Sequence, residues 1–232
     1  MTSPQTPPYG TPDTPLLTVR GEAELEVDPE IARITVTVTA RGRDRRTTLD
    51  DLTHRNTVVL DLVKSYGDAV ENLSTGAVSI APELTHRGRG ERVRTYQGTI
   101  RLTAELTDFT ALGELTTRLA DLDLTSIDGP WWDLRPHSPV HREARRQAVR
   151  EAVQRAKEYA EALDTSVAAL VELADAGTGT GRPRAAFDRR AVRMSAVAAE
   201  AGTEAEPLDL EPQRMWVRAE VTAQFTMNPP HL

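Results

Sequence analysis

The sequence predicts an α+β protein: antiparallel β-hairpins forming a sheet, with three main helices packed in a layer. Three observations carry this reading. Several stretches alternate apolar and polar residues, the period of a half-buried strand; Val19, Ala23, Leu25 and Val27 are set among Arg20, Glu22, Glu24 and Glu26. Other stretches switch to the 3.6-residue period of a helix with one apolar face. The order of elements, strand, strand, helix, strand, strand, helix, strand, helix, strand, strand, differs from the regular βαβ alternation of a parallel sheet.

Taken in order, residues 1–15 contain five prolines among Thr, Ser and Gly, a composition expected to stay extended and solvated as a disordered tail. A first strand over Leu17 to Val27 is broken by Asp28-Pro29, and Ile34, Val36, Val38 and Ala40 alternate with threonines in a second. The two are expected to form a hairpin. From Thr48 to Tyr66, Leu49, Leu52, Asn56, Val59, Leu60 and Val63 share a helical face, with Gly67 as the stop. Val78 and Ile80 begin a third strand reaching toward His86, with turn residues at Gly88 to Glu91. Tyr96 to Leu106 returns from it.

Asp108 is positioned to cap a second helix whose face is Phe109, Leu112, Leu115, Leu119 and Leu122. A strand from Leu124 to Leu134 contains Trp131-Trp132. The third helix is the clearest element. Ser138 followed by Pro139 is an N-cap beside a proline that has no N–H to leave unpaired. Ala144, Ala148, Ala152, Ala156 and Ala160 then recur every four residues, and Val149, Val153, Tyr159 and Leu163 are expected to widen that row. A face of alanine lets a backbone approach closely. Val167 to Ala174 and Met215 to Met227 complete the strands.

Between the last two strands, residues 176–212 are too long for an ordinary connection and read as a flexible excursion. Its first half is rich in arginine and its second in carboxylates. The chain is therefore expected to be one domain over 16–227, with tails at 1–15 and 228–232.

Composition excludes several functions. With 39% apolar and 27% charged residues the chain can build a core. A net charge of −7 disfavours general nucleic-acid binding, which needs excess positive potential. The absence of cysteine removes thiol catalysis and disulfides. No segment reaches the roughly 18 apolar residues of a membrane span. No basic and then apolar leader opens the sequence, so a cytoplasmic location is expected.

Several segments together carry a family resemblance: VRGEAELEVDPEIARITVTV at Val19 to Val38, LSTGAVSIAP at Leu73 to Pro82, Tyr96-Gln97-Gly98 before a long strand, the alanine-spaced run at Ala144 to Leu163, and a terminal alternating strand. Over Leu16 to Phe225 the chain resembles the SIMPL-domain (DUF541) family. The resemblance implies the fold and a tendency to assemble. Members are often periplasmic or associated with the outer membrane, and many have glycine where Asp164 follows the long helix here. It transfers no catalytic residues.

Candidate chemistry is sparse. His137 and His141 are four apart, a spacing that can share a metal, but the central Glu of an HExxH site is missing, so they read as surface or interface histidines. Trp131 and Trp132 should point to opposite faces, one into the core. GTGTGRP at Gly177 to Pro183 lacks the Lys-Ser/Thr of a phosphate loop. Asp50-Asp51 sits on a helix where neighbours diverge, and no G-x-S-x-G motif is present. No cofactor or metal is expected.

Two functional readings follow. The first is a non-enzymatic, oligomeric interaction or scaffold module, connected by resemblance to stress or envelope homeostasis. It would have homo-oligomeric contacts and a protein partner bound through Arg182, Arg184, Phe187, Arg189, Arg190 and Arg193 in the excursion. The second is a small-ligand- or anion-binding protein, or an enzyme of unrecognised type, with a pocket near Trp131, Trp132, His137 and His141.

Overall fold

The structure, a computed structural model, describes residues 9–84, 93–181 and 207–230. It is α+β, with two antiparallel sheets and three α-helices among the described residues. The chain divides into two compact units. Unit one takes the described residues within 9–28, 136–181 and 214–230, and unit two those within 29–135 and 207–213.

Unit one contains strands β1 (Leu16–Val27), β6 (Val167–Gly181) and β7 (Met215–Met227), ordered β1-β7-β6. Helix α3 (Pro139–Glu161) packs on this sheet. Residues of one parity on β7, Met215, Val217, Ala219, Val221, Ala223, Phe225 and Met227, are all buried. They meet the buried row Ala144, Ala148, Ala152, Ala156 and Ala160 on α3. The expected widening of that row is only partial. Val149 and Val153 are half-buried, while Tyr159 is 54% exposed and Leu163 36%. Alanine draws the helix axis so near the sheet that the covered stripe is narrow, and side chains on its flanks stay in solvent.

Unit two contains β2 (Ile31–Gly42), β3 (Val70–Leu84), β4 (Val93–Leu106) and β5 (Thr125–Asp133), ordered β3-β4-β2-β5, with helices α1 (Arg45–Lys64) and α2 (Phe109–Ala120) packed on them. One core cluster joins Ile34, Val36 and Val38 of β2, Leu52, Val59 and Val63 of α1, Leu102 and Leu106 of β4, and Leu112, Leu115 and Leu119 of α2. Each such side chain contributes about 1.5–3 kcal/mol by leaving water. The caps are where the sequence places them. Asp108 accepts from the backbone N–H groups of Thr110 and Ala111, and Ser138 from that of Val140.

The expected β1–β2 hairpin is not formed. β1 pairs through twelve positions with β7, and β2 pairs with β4 and β5. Alternation specifies a half-buried strand without naming its neighbour. At Asp28-Pro29-Glu30 the chain leaves one unit for the other. Arg214 holds Asp28 at 2.9 Å, and the Glu30 N–H donates to the Asp133 carbonyl at 3.0 Å. β3 and β4 do pair antiparallel, and the turn expected at Gly88 to Glu91 lies outside the described residues.

β6 extends seven residues past the expected end at Ala174. Its glycines and threonines carry no strand signature of their own, but β7 offers them partners as far as Trp216. At the far end of the long connection, Leu210 packs on the core of unit two, and the Leu208 N–H donates to Thr117 Oγ1 at 3.1 Å.

Candidate functional site

Two open depressions in unit one gather polar side chains. The first lies where α3 begins. His141, Arg142 and Arg145 stand at i, i+1 and i+4, so they crowd one side of the first two turns. With His137 from the preceding loop and Thr178 from β6 they line a depression of about 500 Å³. An Arg145 guanidinium N–H donates to Thr178 Oγ1 at 3.2 Å, which ties the helix side of this depression to the strand. Arg142 and Arg145 form no ion pair with a described carboxylate. Glu143, the one acid between Val140 and Arg150, lies 3.8 Å from Arg146 and 4.0 Å from Arg150.

The second depression, about 410 Å³, runs beside β1, between Glu22 and Glu24 of the strand and Gln147, Arg150, Glu151 and Gln154 of α3. Its helical wall is held by Arg155, which donates to the Arg20 carbonyl at 2.8 Å and pairs with Glu151 at 2.7 Å. Three charged side chains of β1 are paired with β7 or with the residue just before it. Arg20 pairs with Glu220 at 3.1 Å, Glu24 with Arg218 at 2.6 Å, and Glu26 with Arg214 at 3.4 Å.

The four residues expected to line one pocket fall in different units. His137 and His141 border the first depression of unit one. Trp131 and Trp132 belong to β5 of unit two, where they split as adjacent strand residues must. Trp132 packs edge-on against Phe109, with ring centroids 4.9 Å apart and planes at 77°. Trp131 is 36% exposed. The group Arg182, Arg184, Phe187, Arg189, Arg190 and Arg193 lies outside the described residues.

Arg142, Arg145 and Thr178 were not singled out from sequence. The signal that could have found the arginines is their placement, because cations in the first turns oppose the helix dipole. No set of three or more His, Asp or Glu suited to a metal occurs among the described residues. The pKa displacements that stand out among them have structural causes. Backbone and side-chain hydrogen bonds from Thr47 lower Asp44, a hydrogen bond to Glu71 raises Arg135, and one to Asp28 raises Arg214. No helix among the described residues is long and apolar enough to cross a membrane.

The sequence model of the SIMPL family, described as a protein of unknown function (DUF541), matches residues 17–225. The chain belongs to the SIMPL family. The match spans both units, from the second residue of β1 to Phe225 in β7, so this SIMPL chain carries the family pattern across all seven strands and three helices described. No curated protein matches the sequence.

Proposed function

We propose that this SIMPL chain is a non-enzymatic interaction module that assembles with further copies of itself by adding a strand to β1. The observation that carries this reading is the outer edge of β1, on which no described strand pairs and where Arg155 of α3 covers the Arg20 carbonyl alone. β1 is an outer strand of its sheet, twelve residues long, without proline and without a register shift against β7. The other outer strands are blunted in the ways that discourage edge pairing. β6 and β3 contain register shifts, β3 includes Pro82, and β5 combines a shift with Pro130.

The depression alongside β1 leaves room for an incoming strand, whose main chain would supply affinity and whose side chains would meet α3. Binding of a partner protein through the segment from Arg182 to Arg193 belongs to the same reading and rests on its arginine content. The connection to stress or envelope homeostasis rests on the family resemblance.

Light scattering on the purified chain at micromolar concentration tests the assembly, which predicts a mass of two or more copies. Of two adjacent residues in an edge strand, one directs its N–H outward. Of Glu22→Pro and Ala23→Pro, made separately, one should therefore dissociate the assembly while leaving the circular dichroism spectrum intact. A strictly monomeric wild type sinks the reading.

A further inference from the structure

The depression at the start of α3 is built at a local cost that packing does not explain. Arg142, Arg145, Arg146 and Arg150 fall within nine residues, beside a single carboxylate, in an otherwise acidic chain. Like charges at i, i+3 and i, i+4 repel, and a cation in the first turn of a helix, where Arg142 stands, opposes its dipole, each by a few tenths of a kcal/mol to about 1 kcal/mol. Most charged partners elsewhere in unit one follow the opposite rule: Arg20, Arg155, Arg214 and Arg218 each have a carboxylate within 3.4 Å. Arg142 and Arg145 instead line an open depression with two imidazoles and a threonine hydroxyl. Local violations of helix rules collect where a site requires them.

We propose that this depression binds a small phosphorylated anion carrying at least two phosphate groups. Two guanidinium forks match two sets of phosphate oxygens, because each fork presents parallel N–H donors to a planar pair of acceptors. His137 and His141 add ring N–H donors on the same rim, and Thr178 adds a hydroxyl from β6. A volume of about 500 Å³ suits a small ligand, within the usual range of about 300–1,000 Å³. The Arg145 to Thr178 hydrogen bond orients one fork before any ligand arrives. The donors come from α3, its leading loop and β6, so recognition does not depend on the helix terminus, where Ser138 already accepts from the Val140 N–H.

The test is calorimetric titration of the full chain with inorganic tripolyphosphate and pyrophosphate near physiological salt. Saturable binding in the micromolar range is expected for tripolyphosphate. The double variant R142Q/R145Q should weaken it by about tenfold or more, since removing even one charge-assisted hydrogen bond has an effect of at least that order. Lys157→Gln, at an exposed position in the last turns of the same helix, should leave it unchanged.

Thermal unfolding of R142Q/R145Q should show an unchanged or higher Tm, because the substitution relieves repulsion. Absence of binding, binding that survives R142Q/R145Q, or equal loss in K157Q overturns the proposal. So does a lower Tm with lost binding, which would make the arginines structural. Vesicles containing phosphatidic acid separate the lipid source from the free one, and binding to vesicles without binding of tripolyphosphate also overturns it.

Discussion

Gly21 of β1 lies directly against Ala152 of α3: a Cβ built on Gly21 would stand 2.7 Å from the Ala152 Cβ and 2.6 Å from its backbone nitrogen. No real side chains meet that closely, so the strand reaches the helix only because one partner is glycine and the other alanine. Gly21→Ala and Ala152→Leu should each destabilise the chain by about 1–3 kcal/mol through overpacking. Denaturant titration measures this. Because the two sites touch, the double variant should depart from additivity, and an unchanged midpoint for Ala152→Leu would show that this face is not buried.

A second prediction concerns Asp164, which follows α3 with φ +51°, in the left-handed region that favours glycine. The Asp164 N–H donates to the Glu161 carbonyl and the Thr165 N–H to that of Ala160, which pins the turn. Asp164→Gly should relieve about 0.5–1 kcal/mol of backbone strain, less the entropy that glycine gains when unfolded. A small rise in Tm is expected, and Asp164→Val should lower it.

Gly113 inverts the usual helix rule. In the interior of α2, glycine to alanine would ordinarily stabilise by about 1 kcal/mol. Here a Cβ would run into the Leu208 carbonyl oxygen, since the segment from Pro207 crosses the helix at this point. Gly113→Ala should therefore lower Tm, and a rise would show that the segment does not lie on α2.

Asp44 gives a prediction in pH. It caps α1, accepting from the N–H groups of Arg46 and Thr47 and from the Thr47 hydroxyl, and these bonds hold its pKa below the ordinary carboxylate value. A depressed folded-state pKa contributes stability that is complete above the unfolded value, near 4, and is lost as pH falls through the folded value. Asp44→Asn keeps an accepting oxygen and removes the charge. Its stability should fall less than that of the wild type as pH is lowered from about 5 to 2, measured by urea midpoints across that range.

Much of this fold was legible because local patterns are strong. The helix caps Asp108 and Ser138, the alanine row of α3 and the single parity of β7 follow from spacing and side-chain chemistry alone, and each stands where the spacing placed it. The candidate site was legible only in part. His137 and His141 do border a depression, but Thr178 joins them from β6. That residue sits in a glycine and threonine stretch with no apolar alternation, and only pairing with β7 makes it a strand.

The pairing of β1 marks the same boundary. From the sequence alone came the α+β class, the number and kind of elements and most of the inward-facing rows, though not Leu49, which is exposed on α1, since these depend on periodicities of two to four residues and on caps that act across a single turn. The tertiary structure decided that β1 pairs with β7 and not with β2, that Tyr159 and Leu163 stay outside the core, and which charges on α3 go without a carboxylate among the described residues. These depend on contacts between residues far apart in the chain, because a half-buried strand is compatible with any neighbour of matching alternation.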